Sequence, residues 1–211
     1  MCISEKFSLG AFIVCFSACF YLFKRNNKND RWIAVLFLYL GSMQFLEFLM
    51  WRDQKCEGLN QKATNLGFWH NILQPIVSLI IAYYFTGGNI PKWIYIIFII
   101  YMLTSFPKIL KSKSPNQCSK PCSNTNIGLE WKYTKTENMG YVWFIFCLAL
   151  LAPLLAMEGE KTYALLVLLT YIIAHFISVS RCPNSIVPSN GSWWCLMAAF
   201  IPLIAIKLNK I

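Results

Sequence analysis

The sequence predicts an all-α, integral membrane bundle of seven transmembrane helices, folded as one domain over residues 1–211. Three observations carry this. Hydrophobic residues make up 57% of the chain and charged residues only 13%, a more apolar balance than that of soluble domains. Apolar stretches run at residues 9–23, 32–51, 68–85, 91–106, 141–157, 162–179 and 193–208. Each is roughly 15 to 20 residues, enough to cross a core of roughly 30 Å directly or with help from the flanks. Finally, Trp32, Trp51, Trp69, Trp93, Trp193 and Trp194 stand at stretch ends, as in the aromatic belts of membrane–water interfaces.

Taken in order, the elements support that reading. The first stretch lacks a basic leading region and a small-residue cleavage site, so it is expected to stay as a helix. A basic link follows, Lys24-Arg25-Asn26-Asn27-Lys28-Asn29-Asp30-Arg31. The second stretch carries Gln44 and Glu47, three apart on one helical face. The third carries His70, Asn71 and Gln74. The link at about 107–140 is polar, lysine-rich and holds Cys118 and Cys122. The sixth stretch carries His175 and Ser178. In lipid the backbone must satisfy itself, so every stretch is read as a helix. There is no internal repeat and no segment large enough for a soluble core.

Seven crossings put residues 1–8, 52–67, 107–140 and 180–192 on one side. That side holds Cys2, Cys56, Cys118, Cys122 and Cys182, with Cys195 just inside the last stretch. The opposite links hold no cysteine, and Cys15, Cys19 and Cys147 lie within stretches. Six cysteines on one face point to an oxidising compartment and up to three disulfides, in any of 15 pairings. Reduced thiols, or a zinc site built on Cys118-x-x-x-Cys122, are the alternatives. The basic first link favours an extracytoplasmic or lumenal N-terminus and a cytoplasmic C-terminus. The total lysine and arginine count runs the other way, with eleven of 19 on the cysteine side. The first helix and the cysteines are given more weight.

The net charge of +10 is spread over several loops without interleaved aromatics, so nucleic-acid binding is not expected. Lysines near anionic headgroups fit better, and the lipid bilayer is the one partner that follows directly.

Polar groups inside apolar helices are costly and are functional candidates. Counted from the nearest stretch end, Glu47, His70 and His175 all lie about one turn below the cysteine-bearing face. They are therefore expected to share one pocket with Gln44 and Gln74. Such a pocket could pass a proton or bind a small solute or lipid headgroup. It could also hold zinc on Glu47, His70 and His175 as a membrane-embedded hydrolase does, although no cofactor is predicted outright. As a further alternative, these groups only glue helices together in a structural or partner-binding protein. The leading reading is a non-enzymatic one. No H-E-x-x-H, G-x-S-x-G or phosphate loop is present. The sequon Asn190-Gly191-Ser192 is expected to be unused, since it lies too near the last stretch.

The opening Met1-Cys2-Ile3-Ser4 resembles that of an uncharacterised multi-pass membrane family with an M-C-x-S N-terminus, found in bacteria and large DNA viruses. Further matching pieces are Glu47, Asp53-Gln54-x-Cys56, His70 with Gln74-Pro75, Glu130-Trp131, and Pro188-x-Asn190 followed by Trp194-Cys195. This chain has Gly191-Ser192 where the family pattern carries an acidic residue. The resemblance implies membrane topology and shared sites, and no activity. The Ile-, Asn- and Lys-rich composition looks like that of an AT-rich genome, as in viral proteins of that group.

Overall fold

The computed structural model describes residues 4–113, 117–123, 125–132, 140–157, 161–182 and 186–208. Cys2 lies outside these residues. The chain forms α1 (Glu5–Arg25), α2 (Asp30–Arg52), α3 (Leu59–Phe85), α4 (Lys92–Ile100), a π-helical turn (Tyr101–Ser105) and α5 (Phe106–Ser112). A short antiparallel pair follows, β1 (Lys120–Pro121) with β2 (Leu129–Glu130). Then come α6 (Gly140–Leu151), a 3₁₀ turn (Ala152–Ala156), α7 (Lys161–Arg181), α8 (Ile186–Ala198) and α9 (Ile201–Leu208). Among the described residues the fold is thus all-α with almost no strand.

Among the described residues six helices, not the expected seven, are long and apolar enough to cross a membrane. Their outer surfaces are apolar: Phe20, Ile80, Tyr84, Leu103, Leu165 and Phe176 are all exposed. Exposed apolar area on this scale marks a surface not made for water, compatible with a multi-pass membrane protein. The fifth apolar stretch forms a shorter helix, Tyr141–Ala156. Pro153 falls in its last turn, has no N–H to donate, and its ring crowds the carbonyl four residues back. The last turn tightens into 3₁₀ geometry instead.

Two other boundaries shift. α3 starts at Leu59, nine residues before the apolar stretch does. Its first turns carry Asn60 and Thr64, both buried against a loop rather than lipid. The last stretch divides at Ala199-Phe200, because Pro202 cannot supply the amide of an unbroken helix.

α2 is the centre of the bundle. Leu36, Phe37, Leu40, Met43 and Met50 are fully buried. α1 packs along it closely: a Cβ on Gly41 would stand 2.4 Å from the Cys15 sulfur. At one end, Arg25 donates to both carboxylate oxygens of Asp30 at 2.7 and 2.8 Å and to the carbonyl of Ile206 at 2.9 Å. This ties the α1–α2 turn to α9. At the other end, the segment from Gln117 to Lys132 forms a strap over the bundle. Cys56–Cys118 joins it to the α2–α3 turn, and Cys122–Cys182 joins it to the end of α7. Cys15, Cys19 and Cys147 are free, as expected. Cys195, a candidate for a bridge, is also free. It is buried in the bundle, away from the strap cysteines. Because Cys118 and Cys122 enter different bridges, they offer no thiolate pair to zinc.

The α2–α3 turn is built on Asp53. Its carboxylate accepts from the backbone N–H of Asn60 at 2.9 Å and of Glu57 at 2.8 Å, meeting amides that the start of α3 leaves open. These two bonds, Asn60 first, hold the Asp53 carboxyl below its ordinary value of 3.8. A lowered folded-state pKa gives stability that is complete above the unfolded value and lost as pH falls through the folded one. Thermal unfolding in detergent should therefore show the midpoint falling as pH drops below about 4. Asp53→Asn should lower the midpoint at pH 7 and flatten that acid limb. An acid limb of unchanged depth in the variant would contradict the assignment.

Candidate functional site

α2 presents Gln44 and Glu47 on one face, three residues apart, and both are fully buried. The Gln44 amide donates to Glu47 Oε2 at 2.8 Å. The indole N–H of Trp131 donates to Glu47 Oε1 at 3.0 Å. Trp131 follows β2 in the strap and is 2% exposed. Glu47 is five residues from the end of α2, so this indole reaches about 7 Å below the last turn. A side chain from the polar link thus closes over a carboxylate in the apolar bundle.

Room for the indole comes from α8. A Cβ on Gly191 would stand 2.4 Å from Trp131 Cζ3. Gly191 is therefore the residue that admits the ring. Gly128, with φ +87°, sits beside the Trp193 indole, where a Cβ would meet Nε1 at 3.0 Å. This left-handed backbone closes the turn between β1 and β2 at little cost for glycine.

Deeper in the bundle the polar groups continue. The Cys195 thiol is buried in α8. Gln74 is fully buried, and neither its nitrogen nor its oxygen has a well-formed hydrogen bond among the described residues. Gln44 Oε1 is likewise unsatisfied. From the strap inward, the hydrogen-bonded polar track is Trp131, Glu47 and Gln44.

The strap is fixed beside this track by one amide. Asn60 Nδ2 donates to the carbonyls of Met50 and Ser119, both at 2.9 Å. Asn60 Oδ1 accepts from Ser119 N at 2.9 Å and from Thr64 Oγ1 at 3.0 Å. Each of these bonds adds roughly 0.5–1.5 kcal/mol.

The structure brings together only part of the expected pocket. Gln44 and Glu47 touch, and Gln74 is buried in α3 without a hydrogen bond to either. His70 does not. Its ring stacks on Tyr39 at 4.3 Å. Its Nε2 lies 2.7 Å from the Tyr39 carbonyl and 2.9 Å from Ser42 Oγ, while the Tyr39 hydroxyl donates to the His70 carbonyl at 2.8 Å. The reason is the early start of α3. Counted from Leu59, His70 is 11 residues down the helix, level with Tyr39 and Ser42, which lie about 8–12 Å along α2 from Glu47. His175 is exposed. Ala174 and Ser178 take the inward face of α7, and the next residue after Ala174 is turned about 100° away. Glu47, His70 and His175 are therefore not assembled as zinc ligands. Among the described residues, no three His, Cys, Asp or Glu side chains gather as a metal site needs. Asn190 of the sequon is buried in α8.

Sequence reasoning missed Trp131 as the partner of Glu47 and Gly191 as the seat of its ring. The available signal was a tryptophan in a lysine-rich link, which has no reason to be there unless its ring is buried.

No protein family, curated protein or solved structure matches the chain.

If Gly191 is what admits the indole, Gly191→Ala should cost roughly 1–3 kcal/mol by overpacking. The same change in a Trp131→Phe background should cost clearly less, because the smaller ring leaves the contested space. Unfolding free energies in mixed micelles read both. Equal losses in the two backgrounds would contradict the packing.

Proposed function

We propose that this is a multi-pass integral membrane protein that passes or binds a proton, or a small polar solute, at Glu47 beneath a disulfide-clamped outer face. The observation that carries the reading is the Glu47 carboxylate itself. It lies fully buried among apolar helices, where it accepts hydrogen bonds from Gln44 and from Trp131. A carboxyl in such a place gains or loses a proton more readily than it holds a fixed charge. The unsatisfied amide atoms of Gln44 and Gln74 support a polar occupant.

The strap side is read as extracytoplasmic or lumenal, with the C-terminus cytoplasmic. Two bridges on that face and the basic first link favour it. A seventh crossing by α6 is also part of the reading. Lys108 Nζ lies 4.5 Å over the Tyr141 ring at one end. At the other, Met157 lines a cavity with Lys28, Thr86 and Asn89. Membership of the M-C-x-S family is proposed on its quoted residues alone, and brings no activity with it.

Proteoliposomes loaded with a pH-sensitive dye and given a potassium diffusion potential test the reading. Proton entry several-fold above that of empty liposomes is expected, and Glu47→Gln should return it to the empty level. Entry that survives Glu47→Gln, or none in the parent, would overturn the proton reading and leave Glu47 as a static helix latch. Tag protection should find the two chain ends on opposite sides; both ends on one side would overturn the topology.

A further inference from the structure

The two bridges of the strap are not equivalent. Cys122 and Cys182 are 1% and 3% exposed. Cys56 and Cys118 are both half-exposed. Cys56 also has φ +65°, a left-handed backbone conformation that a side-chain-bearing residue adopts only under constraint. Reducing the outer bridge frees that residue to relax, whereas reducing the inner one first requires a thiol to enter a buried contact. Accessible, strained bridges are the labile ones in thiol exchange.

They also hold different things. Cys122–Cys182 anchors the β1–β2 end of the strap to α7. Cys56–Cys118 anchors its start to the turn at the end of α2, the helix that carries Glu47. With both closed, the strap is held at two points and the Trp131 indole is pinned on the carboxylate. With only the inner one closed, it hangs from α7 and stays on α2 and α3 through non-covalent bonds, among them those of the Asn60 amide and the Thr64 hydroxyl to Ser119 and the Trp131–Glu47 bond.

We propose that Cys56–Cys118 is a thiol-exchange site for a dithiol reductant acting from the strap side, and that its opening uncovers Glu47 while Cys122–Cys182 keeps the strap attached. One thiolate of the dithiol attacks a sulfur of the bridge. The Cys56–Cys118 bond breaks, a mixed disulfide forms and the other cysteine leaves as its thiol. The second thiolate of the reductant then displaces the bound cysteine. Two electrons pass to the protein, which ends with two thiols, and the dithiol ends as its own disulfide. The consequence for Glu47 rests on the functional reading above; the order of exchange does not.

The full chain in nanodiscs, titrated with dithiothreitol and alkylated, gives the order by mass spectrometry. Cys56 and Cys118 should reach half-labelling at a dithiol concentration about tenfold or more below that for Cys122 and Cys182. In that window, and in Cys56→Ser/Cys118→Ser without reductant, a membrane-permeant carbodiimide should label Glu47 several-fold faster than in the oxidised parent. All four cysteines labelling together, or the inner pair first, overturns the proposal. So does outer-pair labelling with an unchanged rate at Glu47. A protein that passes both arms yet shows no Glu47-dependent proton entry overturns the functional reading alone.

Discussion

The contact between the Trp131 indole and the Glu47 carboxylate is the constraint around which the outer half of this protein is arranged. A carboxyl group fully buried among apolar helices is expensive, whether its charge is kept or neutralised. Here one oxygen is met from its own helix by Gln44 and the other by a donor that does not belong to the bundle at all. That donor must be carried inward by a loop, and the loop must be held there.

Everything about the strap serves that requirement. A loop this polar would not stay over an apolar bundle by hydrophobic burial alone. Two covalent links fix it at the α2–α3 turn and at the end of α7. Two hydrogen bonds between the Asn60 side chain and the Ser119 backbone fix its start, and Asp53 fixes the helix that carries Asn60. Gly191 leaves the slot into which the ring descends. The opposite end of the bundle is closed more simply, by the Arg25–Asp30 pair and its bond to Ile206. Rigidity around one face, with unsatisfied amide groups just beneath it, is the arrangement of a covered polar site rather than of a uniform helix bundle.

Several parts of this were legible in the sequence. Gln44 and Glu47 are three apart, so a helix had to put them on one face. The parity of the apolar stretches separated the cysteines of the strap side from Cys15, Cys19 and Cys147, and the separation holds for the pairs described. What failed was depth. Hydropathy starts the third stretch at residue 68, but the helix starts at Leu59 because Asn60 and Thr64 are paid for by hydrogen bonds that hydropathy does not see. His70 moved down by more than two turns as a result. His175 failed for a different reason: small Ala174 and Ser178 turn inward and leave the imidazole outside. Trp131 could not be placed from sequence at all, since its partner is 84 residues away and the link between them gives no register. Cys195 sat at the border of loop and helix, and its pattern could not tell a bridge from a buried thiol.

The central claim is that Trp131 and Glu47 form one unit. A double-mutant cycle tests it most directly, with unfolding free energies in mixed micelles for the parent, Trp131→Phe, Glu47→Gln and the double variant. A hydrogen bond to a buried carboxyl should appear as a coupling of roughly 1.5–3 kcal/mol. Losses that add to within about 0.5 kcal/mol would mean that the two side chains do not depend on each other, and would contradict this account of the strap.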